Sequence, residues 1–180
     1  MSDELKLTKL DRIFLVNQLR ILEILCPDEV AQLSVQREAL ERGYEMLYNL
    51  DFEYIYDGDS KMTEEESREV WDTMDMFDAI GRSMPEEMDV SIFHMTKFAG
   101  YDGNNESKFM SFARFTVERL ERFEYVPMER PGYWNSHFPV RDTYLRMLEE
   151  WKKLPNPSRF SMSPEQLQLV LKAARHPENR

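Results

Sequence analysis

Apolar residues recur every three or four positions along most of this chain, a spacing that favours α-helices over strands. Thr63-Glu64-Glu65-Glu66 and Ser163-Pro164-Glu165-Gln166 each place a capping hydroxyl three residues before an acid or an amide, which is typical of helix starts. We therefore predict a mainly all-α chain, with one domain over residues 1–180 and its helices in an orthogonal or bundle-like array. Residues 1–6 and 176–180 are expected to be frayed.

The apolar spacing also sets approximate helix bounds. We predict helices over 7–25, 28–50, 64–81, 106–123, 140–154 and from 163 onward, with a further short helix after Ser83. Gly43 would then lie inside the second helix and would indicate close approach of another backbone. Residues 50–56 and 90–95 alternate between apolar and polar side chains, so a small two-stranded β ribbon is a further expectation.

The first helix is apolar on too many sides for an ordinary surface helix. Its main arc and the extension of that arc comprise Leu7, Leu10, Phe14, Ile21, Leu22 and Leu25, then Leu15, Val16 and Leu19. Such a helix belongs either in the centre of the fold or in a subunit interface. Asn17 and Gln18 fall within this arc or at its edge, where they predict a hydrogen-bonded pair in the core or, alternatively, a ligand contact.

The net charge of −11 opposes general binding to the phosphates of a nucleic acid. Cys26 is the only cysteine, which excludes an intrachain disulfide. The acidic start of the chain does not resemble a secretory signal, and no apolar run approaches the roughly 20 residues that span a bilayer. These features predict a cytoplasmic protein without a membrane segment.

A search for reactive motifs finds none. The three histidines (His94, His137 and His176) follow no metal-ligand spacing, and the chain contains neither a phosphate-binding loop nor a nucleophile elbow. We expect no metal and no cofactor, and the balance is against an enzyme. Met74, Met76, Met84, Met88 and Met95 lie close together in sequence, which favours a filled core over an adaptable binding surface.

Polar residues that the helical spacing turns inward are the candidate site. They are Asn17, Gln18, Arg37, Glu41, Asp102, Glu106, Arg114 and Arg146. Arginines of this kind could hold an anionic ligand, and convergence of at least three of these residues in one pocket would support that function. The spacing of Arg37 and Glu41 also permits an ion pair. Asp102 or Asn105 could instead cap the helix that follows, and Arg114 with Glu118 forms a solvated pair.

Several segments in order resemble the YfbU family of bacterial proteins. They are Leu15-Val16-Asn17-Gln18, Glu41-Arg42-Gly43-Tyr44, Phe98-Ala99-Gly100-Tyr101-Asp102, Glu106-Ser107-Lys108-Phe109, Arg114-Phe115 and Tyr144-Leu145-Arg146-Met147-Leu148 with Trp151. The turn at 57–60 and the connection at 125–139 depart from the pattern. The resemblance implies a bacterial, cytoplasmic, mostly helical protein and supplies no catalytic residue.

Three hypotheses about function follow. The first is a non-catalytic protein that self-associates as a dimer or a higher homo-oligomer and binds another, unidentified protein. The second is an enzyme or sensor for a small anionic molecule that uses the candidate polar residues. The third is a nucleic-acid-linked regulator, the least favoured because its basic candidates are only Lys152, Lys153, Arg159, Lys172 and Arg175.

Overall fold

The described part of the chain is helical. A computed structural model describes residues 5–52, 54–85 and 93–175, and within these ranges it contains seven α-helices and no β-sheet, which confirms the all-α prediction. The helices are α1 (Lys9–Leu25), α2 (Val30–Arg42), α3 (Glu45–Asp51), α4 (Glu64–Ser83), α5 (Ser107–Glu118), α6 (Arg141–Lys153) and α7 (Pro164–Lys172). The backbone divides into two compact units, Met1–Lys61 and Met62–Arg180. The organisation as one domain stays a prediction.

Two helix starts lie where the capping residues predict them, and a third uses the same chemistry. Thr63 accepts a hydrogen bond from the Glu66 backbone while the Glu66 carboxylate accepts one from the Thr63 backbone, and Ser163 and Gln166 repeat this exchange. Thr8 begins α1 in the same way with Asp11. Each exchange satisfies backbone N–H groups that have no partner within the helix, so these boundaries are locally encoded.

The second predicted helix is wrong as a single element, because the chain breaks it at Gly43. The φ angle of Gly43 is +73°, in the left-handed region, and its N–H donates to the carbonyl of Ala39. Glycine adopts this conformation without strain and so ends helices. The predicted close approach of another backbone to Gly43 is also wrong: the nearest atom is Nη1 of the Arg12 side chain, 3.0 Å from the place a Cβ would occupy.

The predicted β ribbon is also wrong over the residues that the structure describes. Residues up to Asp51 belong to α3, Phe52 caps its end, and residues 94–96 form a turn of 3₁₀ helix. Residues 53 and 90–92 lie outside the described residues, as do the predicted helix beyond Pro85 and the ends 1–4 and 176–180. Helix-compatible spacing and tertiary packing override the short alternating pattern at 50–52.

The second unit has an extended apolar core. The apolar stripe of α4 is buried at Val70, Met74, Phe77 and Ile80, whereas Trp71 is only partly buried. The core is completed mainly by α6 and α7, through Tyr144, Met147, Leu148, Trp151, Leu167, Val170 and Leu171. Of the clustered methionines, Met74 and Met76 are fully buried while Met84 and Met95 pack at the edge, which confirms core filling for these four; Met88 lies outside the described residues.

The first unit is built on the pairing of α1 with α2. Val16, Leu40 and Tyr48 form its buried cluster, and five partly buried side chains pack around them: Leu5, Leu7, Leu15, Leu19 and Phe52. Arg12 ties the two helices together by donating to the carbonyl of Leu40 at 3.0 Å. This cluster uses only one side of α1.

Candidate functional site

The side of α1 away from α2 is apolar and exposed. We define the outer face of α1 as Leu10, Ile13, Phe14, Asn17, Ile21, Ile24 and Leu25. Phe14 is 62% exposed, Leu25 69% and Ile24 80%. Large exposed apolar patches on folded proteins mark contact sites or aggregation hazards. Of the two predicted settings for this helix, the centre of the fold is therefore wrong, and the subunit interface stays a prediction.

The two amides predicted to turn inward do not do so. Asn17 and Gln18 are both exposed, so the predicted hydrogen-bonded core pair is wrong. The apolar arc that contains them faces outward, because Val16 and Leu19 on the opposite side make the contact with α2. Asn17 consequently lies halfway along the outer face, on the edge that borders α2, three residues after Phe14 and four before Ile21.

Ion pairs join α1 to α2 beside this face. The Arg37 side chain lies 2.8 Å from the Glu23 carboxylate and 3.1 Å from that of Glu41, which confirms the predicted Arg37–Glu41 pair. Arg20 reaches the same Glu41 oxygen at 3.0 Å. These arginine hydrogen bonds, chiefly that of Arg37, hold the pKa of the Glu41 carboxyl below its usual value. Glu41 therefore stays ionised and serves as the hub of these pairs.

A groove of about 320 Å³ runs between α1 and α2. Its polar lining comprises Lys9, Arg12, Asn17, Arg20 and Glu41. Two of the predicted site residues, Asn17 and Glu41, thus share one groove, while Arg37 lines another groove along α2 together with Glu41. Gln18 lines neither of these two grooves. The polar candidates of the first unit are neighbours, but at most two of them line either groove.

In the second unit Glu106 acts as a structural clamp. Its buried carboxylate accepts hydrogen bonds from the backbone N–H groups of Asp102 at 3.0 Å, Val140 at 3.1 Å and Arg141 at 2.9 Å. A charged acceptor that satisfies several buried N–H groups joins a loop to the start of α6 and leaves little capacity for a ligand. The sequence contains no local sign of this role, because the partners at 140 and 141 are distant in the chain.

Asp102 is likewise occupied by its own loop. Its carboxylate accepts from the Asn104 N–H at 3.1 Å and from the Asn105 side-chain amide. The Asn105 hydrogen bond contributes most to holding the pKa of the Asp102 carboxyl below its usual value. Neither residue caps α5, whose N-cap position is taken by Glu106 without a side-chain cap bond, so the predicted capping role is wrong.

The two remaining arginines have separate partners. Arg114 is exposed and pairs with Glu118 at 2.6 Å, which confirms the predicted solvated pair; Glu118 also accepts from the Trp134 indole. Arg146 donates to the carbonyl of Ala174 at 2.9 Å just after α7 ends. The side chains of the candidate residues of this unit are thus each engaged in contacts that hold the fold together.

Sequence reasoning missed the bidentate pair between Arg141 and Glu69, with N–O distances of 2.6 and 2.7 Å. Arg141 also lies over the Phe109 ring, 4.6 Å from its centroid. The pair joins α4 to α6 across 72 positions, so no local spacing could reveal it. Hydrogen bonding to Glu69 raises the pKa of the guanidinium, which keeps this residue a fixed cation in a structural contact.

Other kinds of site find little support in the described ranges. Two of the basic candidates for nucleic-acid contact are paired with acids, Lys152 with Asp72 and Lys153 with Glu150. No group of three or more potential metal ligands occurs in residues 5–52, 54–85 and 93–175. Across these same ranges, no helix is both long enough and apolar enough to cross a bilayer.

The fold and the site define an all-α protein of two helical units whose most distinctive surface is the outer face of α1. The family model of the YfbU domain matches residues 5–173 of this chain, and the chain belongs to this family. It is also similar to UPF0304 protein MJECS11 of Methanocaldococcus jannaschii. The two are 30% identical over 173 residues, which cover 93% of this chain and 99% of that relative. The resemblance identified from the sequence is confirmed.

Proposed function

We propose that this protein is a non-catalytic interaction module whose copies associate through the outer face of α1. The exposed apolar side chains on one side of a single helix carry this proposal. Burying a large apolar side chain contributes roughly 1.5–3 kcal/mol when it goes from full exposure to full burial. Several such side chains on each copy could together offset the several kcal/mol that association costs.

Charge supports a second copy of the chain as the partner. The chain carries a net charge of −11, so two copies repel each other over most of their surfaces. Within α1, however, the three basic residues (Lys9, Arg12 and Arg20) outnumber the two acidic ones (Asp11 and Glu23). The outer face is therefore a place where two acidic molecules can meet without strong local repulsion.

The proposal includes a cytoplasmic setting and further, still unidentified protein partners. The sole cysteine, Cys26, is partly buried and has no second cysteine in the chain to pair with, which suits a reducing compartment. A self-assembled module would present its second unit twice, and this duplication is how we expect it to engage another protein.

Sedimentation equilibrium at tens of micromolar protein tests the proposal. We expect the wild type to have twice the chain mass of 21.6 kDa and Ile21→Glu to have that mass alone, because a buried carboxylate without a partner opposes the contact. Val35→Glu is the matched control. Val35 is 66% exposed on α2 in the same unit, and its substitution changes the charge equally, so this variant should stay dimeric.

A monomeric wild type at these concentrations would contradict the proposal. Equal masses for Ile21→Glu and the wild type would also contradict it, since the contact would then lie elsewhere. If Ile21→Glu instead lowered the free energy of unfolding of a monomeric protein, the outer face would be covered within its own chain, and the interaction role of α1 would be wrong.

The groove between α1 and α2 favours a second candidate, a binding site for a small anion. Lys9, Arg12 and Arg20 line it on an otherwise acidic chain. Native mass spectrometry of gently purified protein tests this function. We expect an added mass that denaturation removes and that Arg20→Gln loses. The control Arg42→Gln, on an arginine paired with Glu38 outside this groove, should retain it. The bare chain mass in the wild type would contradict the site.

A further inference from the structure

The outer face of α1 contains a regular seam. Leu10, Phe14, Asn17, Ile21 and Ile24 follow one another at intervals of four, three, four and three residues. This is the repeat by which two helices pack along a common line, with each seam residue inserted between residues of the partner. Ile13 and Leu25 widen the apolar strip beside it. The seam is therefore suited to a partner that is itself a helix.

Asn17 is the central residue of α1. The helix has 17 residues, from Lys9 to Leu25, so eight lie on each side of Asn17. A helix pairs with an antiparallel copy of itself over its full length only when the two-fold axis passes beside its midpoint. That arrangement sets Leu10 opposite Ile24 of the second copy, and Ile13 opposite Ile21. It also sets Asn17 opposite Asn17.

The chemistry of Asn17 fits this position. A carboxamide is both a donor and an acceptor, so two copies related by a two-fold axis can satisfy each other. The Asn17 side chain makes no hydrogen bond to the described residues. Against an apolar helix of another protein, its amide would be buried without partners, which is unfavourable. A single asparagine in such a seam specifies register and the number of helices.

The direction of the pairing follows from helix electrostatics. An α-helix carries partial positive charge at its N-terminus and partial negative charge at its C-terminus. Parallel copies of α1 would bring like ends together, whereas antiparallel copies bring unlike ends together. Helices about 25 Å long that pack 8–10 Å apart, as packed helices roughly do, place facing seam residues near enough for a disulfide to bridge them.

We propose that α1 pairs with α1 of a second copy in antiparallel orientation, with the two Asn17 side chains hydrogen-bonded to each other at the two-fold axis. This inference rests on the proposed function, since it specifies the geometry of the same contact. Asn17 is a positioning residue in this arrangement: it selects the register, while the apolar seam supplies most of the affinity.

Disulfide trapping in the full chain, in a Cys26→Ala background, tests the register. Leu10→Cys and Ile24→Cys proteins are oxidised separately and as an equal mixture. We expect the mixed 10–24 crosslink to form at least ten times faster than either like-with-like crosslink. Val35→Cys, which places the thiol at an exposed position of α2, is the control and should not crosslink.

Substitutions at Asn17 test its positioning role. Asn17→Asp should dimerise below the pKa of the new carboxyl, about 4 for an unperturbed aspartate, and dissociate at least tenfold more readily at pH 7, because two like charges then meet at the axis. Asn17→Leu should dimerise at least tenfold more tightly but lose the preference for the 10–24 crosslink. The wild type should show neither pH dependence nor loss of register.

Failure of the inference is distinguishable from failure of the proposed function. If the wild type is dimeric but the Leu10→Cys protein crosslinks mainly to its own copies, the antiparallel register is wrong. Self-association through α1 would stand in that case. A dimer whose register survives Asn17→Leu would overturn the role of Asn17. A monomer in sedimentation that gives no crosslink at either position would overturn both.

Discussion

The helices of both units have the same apolar spacing, but the two units bury their apolar faces to different extents. In the unit from Met62 to Arg180, the apolar faces of α4, α6 and α7 meet one another in an extended core. In the unit from Met1 to Lys61, the buried cluster is Val16, Leu40 and Tyr48, while most of the large apolar side chains of α1 face outward. A small unit has much surface for its volume, so a helix with as much apolar surface as α1 cannot be fully covered there.

The carboxylates of the two units also differ in how far they are buried. In the second unit the carboxylate of Glu106 is buried and fully engaged with backbone N–H groups. In the first, Glu41 shares its carboxylate between Arg20 and Arg37 at the surface. The second unit thus buries a far larger apolar core, although Phe138 and Leu169 are exposed in it, whereas the first leaves most of the large apolar side chains of α1 exposed. Under the proposed function, the second unit supplies stability and the first supplies association.

The largest expected effect on the free energy of unfolding comes from a phenylalanine substitution in the second unit, and a phenylalanine substitution in the first unit is its comparison. Phe77→Ala in α4 should lower the free energy of unfolding by about 3–5 kcal/mol, because it leaves a cavity in a closed core. Phe14→Ala on the outer face should change the unfolding of the dilute monomer by less than about 0.5 kcal/mol and should weaken self-association instead. Urea denaturation at two protein concentrations separates these effects. If both variants lost the same free energy of unfolding, the proposed difference between the two units would be wrong.

Glu106→Gln should have an intermediate effect of about 1–3 kcal/mol on the free energy of unfolding. The new NH₂ group donates and cannot accept, so at least one buried backbone N–H at Asp102, Val140 or Arg141 loses its partner. Glu41→Gln in the first unit is the comparison, and its loss should be clearly smaller because water screens that ion-paired carboxylate. The two urea midpoints are the measurement; a larger shift for Glu41→Gln would reverse the assignment of the polar clamp.

The smallest effect concerns Asp75 in the second unit. Burial, with the nearby Asp72 and Asp78 carboxylates, raises the pKa of the Asp75 carboxyl. The folded state therefore binds a proton more readily than the unfolded one. This contribution to stability is present below the ordinary aspartate pKa of 3.8 and is lost as the pH rises through the raised pKa.

Asp75→Asn should thus be relatively stabilising at pH 7, by less than about 1 kcal/mol, and should flatten the decline of stability as the pH rises from 3 to 6. Thermal unfolding across that pH range is the measurement. A variant whose stability profile runs parallel to that of the wild type would show that Asp75 is solvated like an ordinary surface acid.

Residues three or four positions apart in the sequence predicted the helices, but they did not predict the contacts between helices. The capping exchanges at Thr63 and Ser163 and the buried stripe of α4 depend on residues three or four positions apart, so they are readable from the sequence. Of the candidate site residues, only local pairs such as Arg37 with Glu41 were predictable in this way. The Glu106 clamp and the Arg141–Glu69 pair were not, because their partners are far apart in the chain.

The sequence by itself determined that this chain is helical, belongs to the YfbU family and has a first helix with more apolar surface than one neighbour can cover. Only the tertiary structure decided which side of that helix is covered. Val16 and Leu19 pack in the first unit, so the side with Phe14 and Asn17 faces outward. Apolar side chains attract one another without direction. Helical periodicity can therefore mark every apolar side of α1, but only the placement of α2 selects which one is buried.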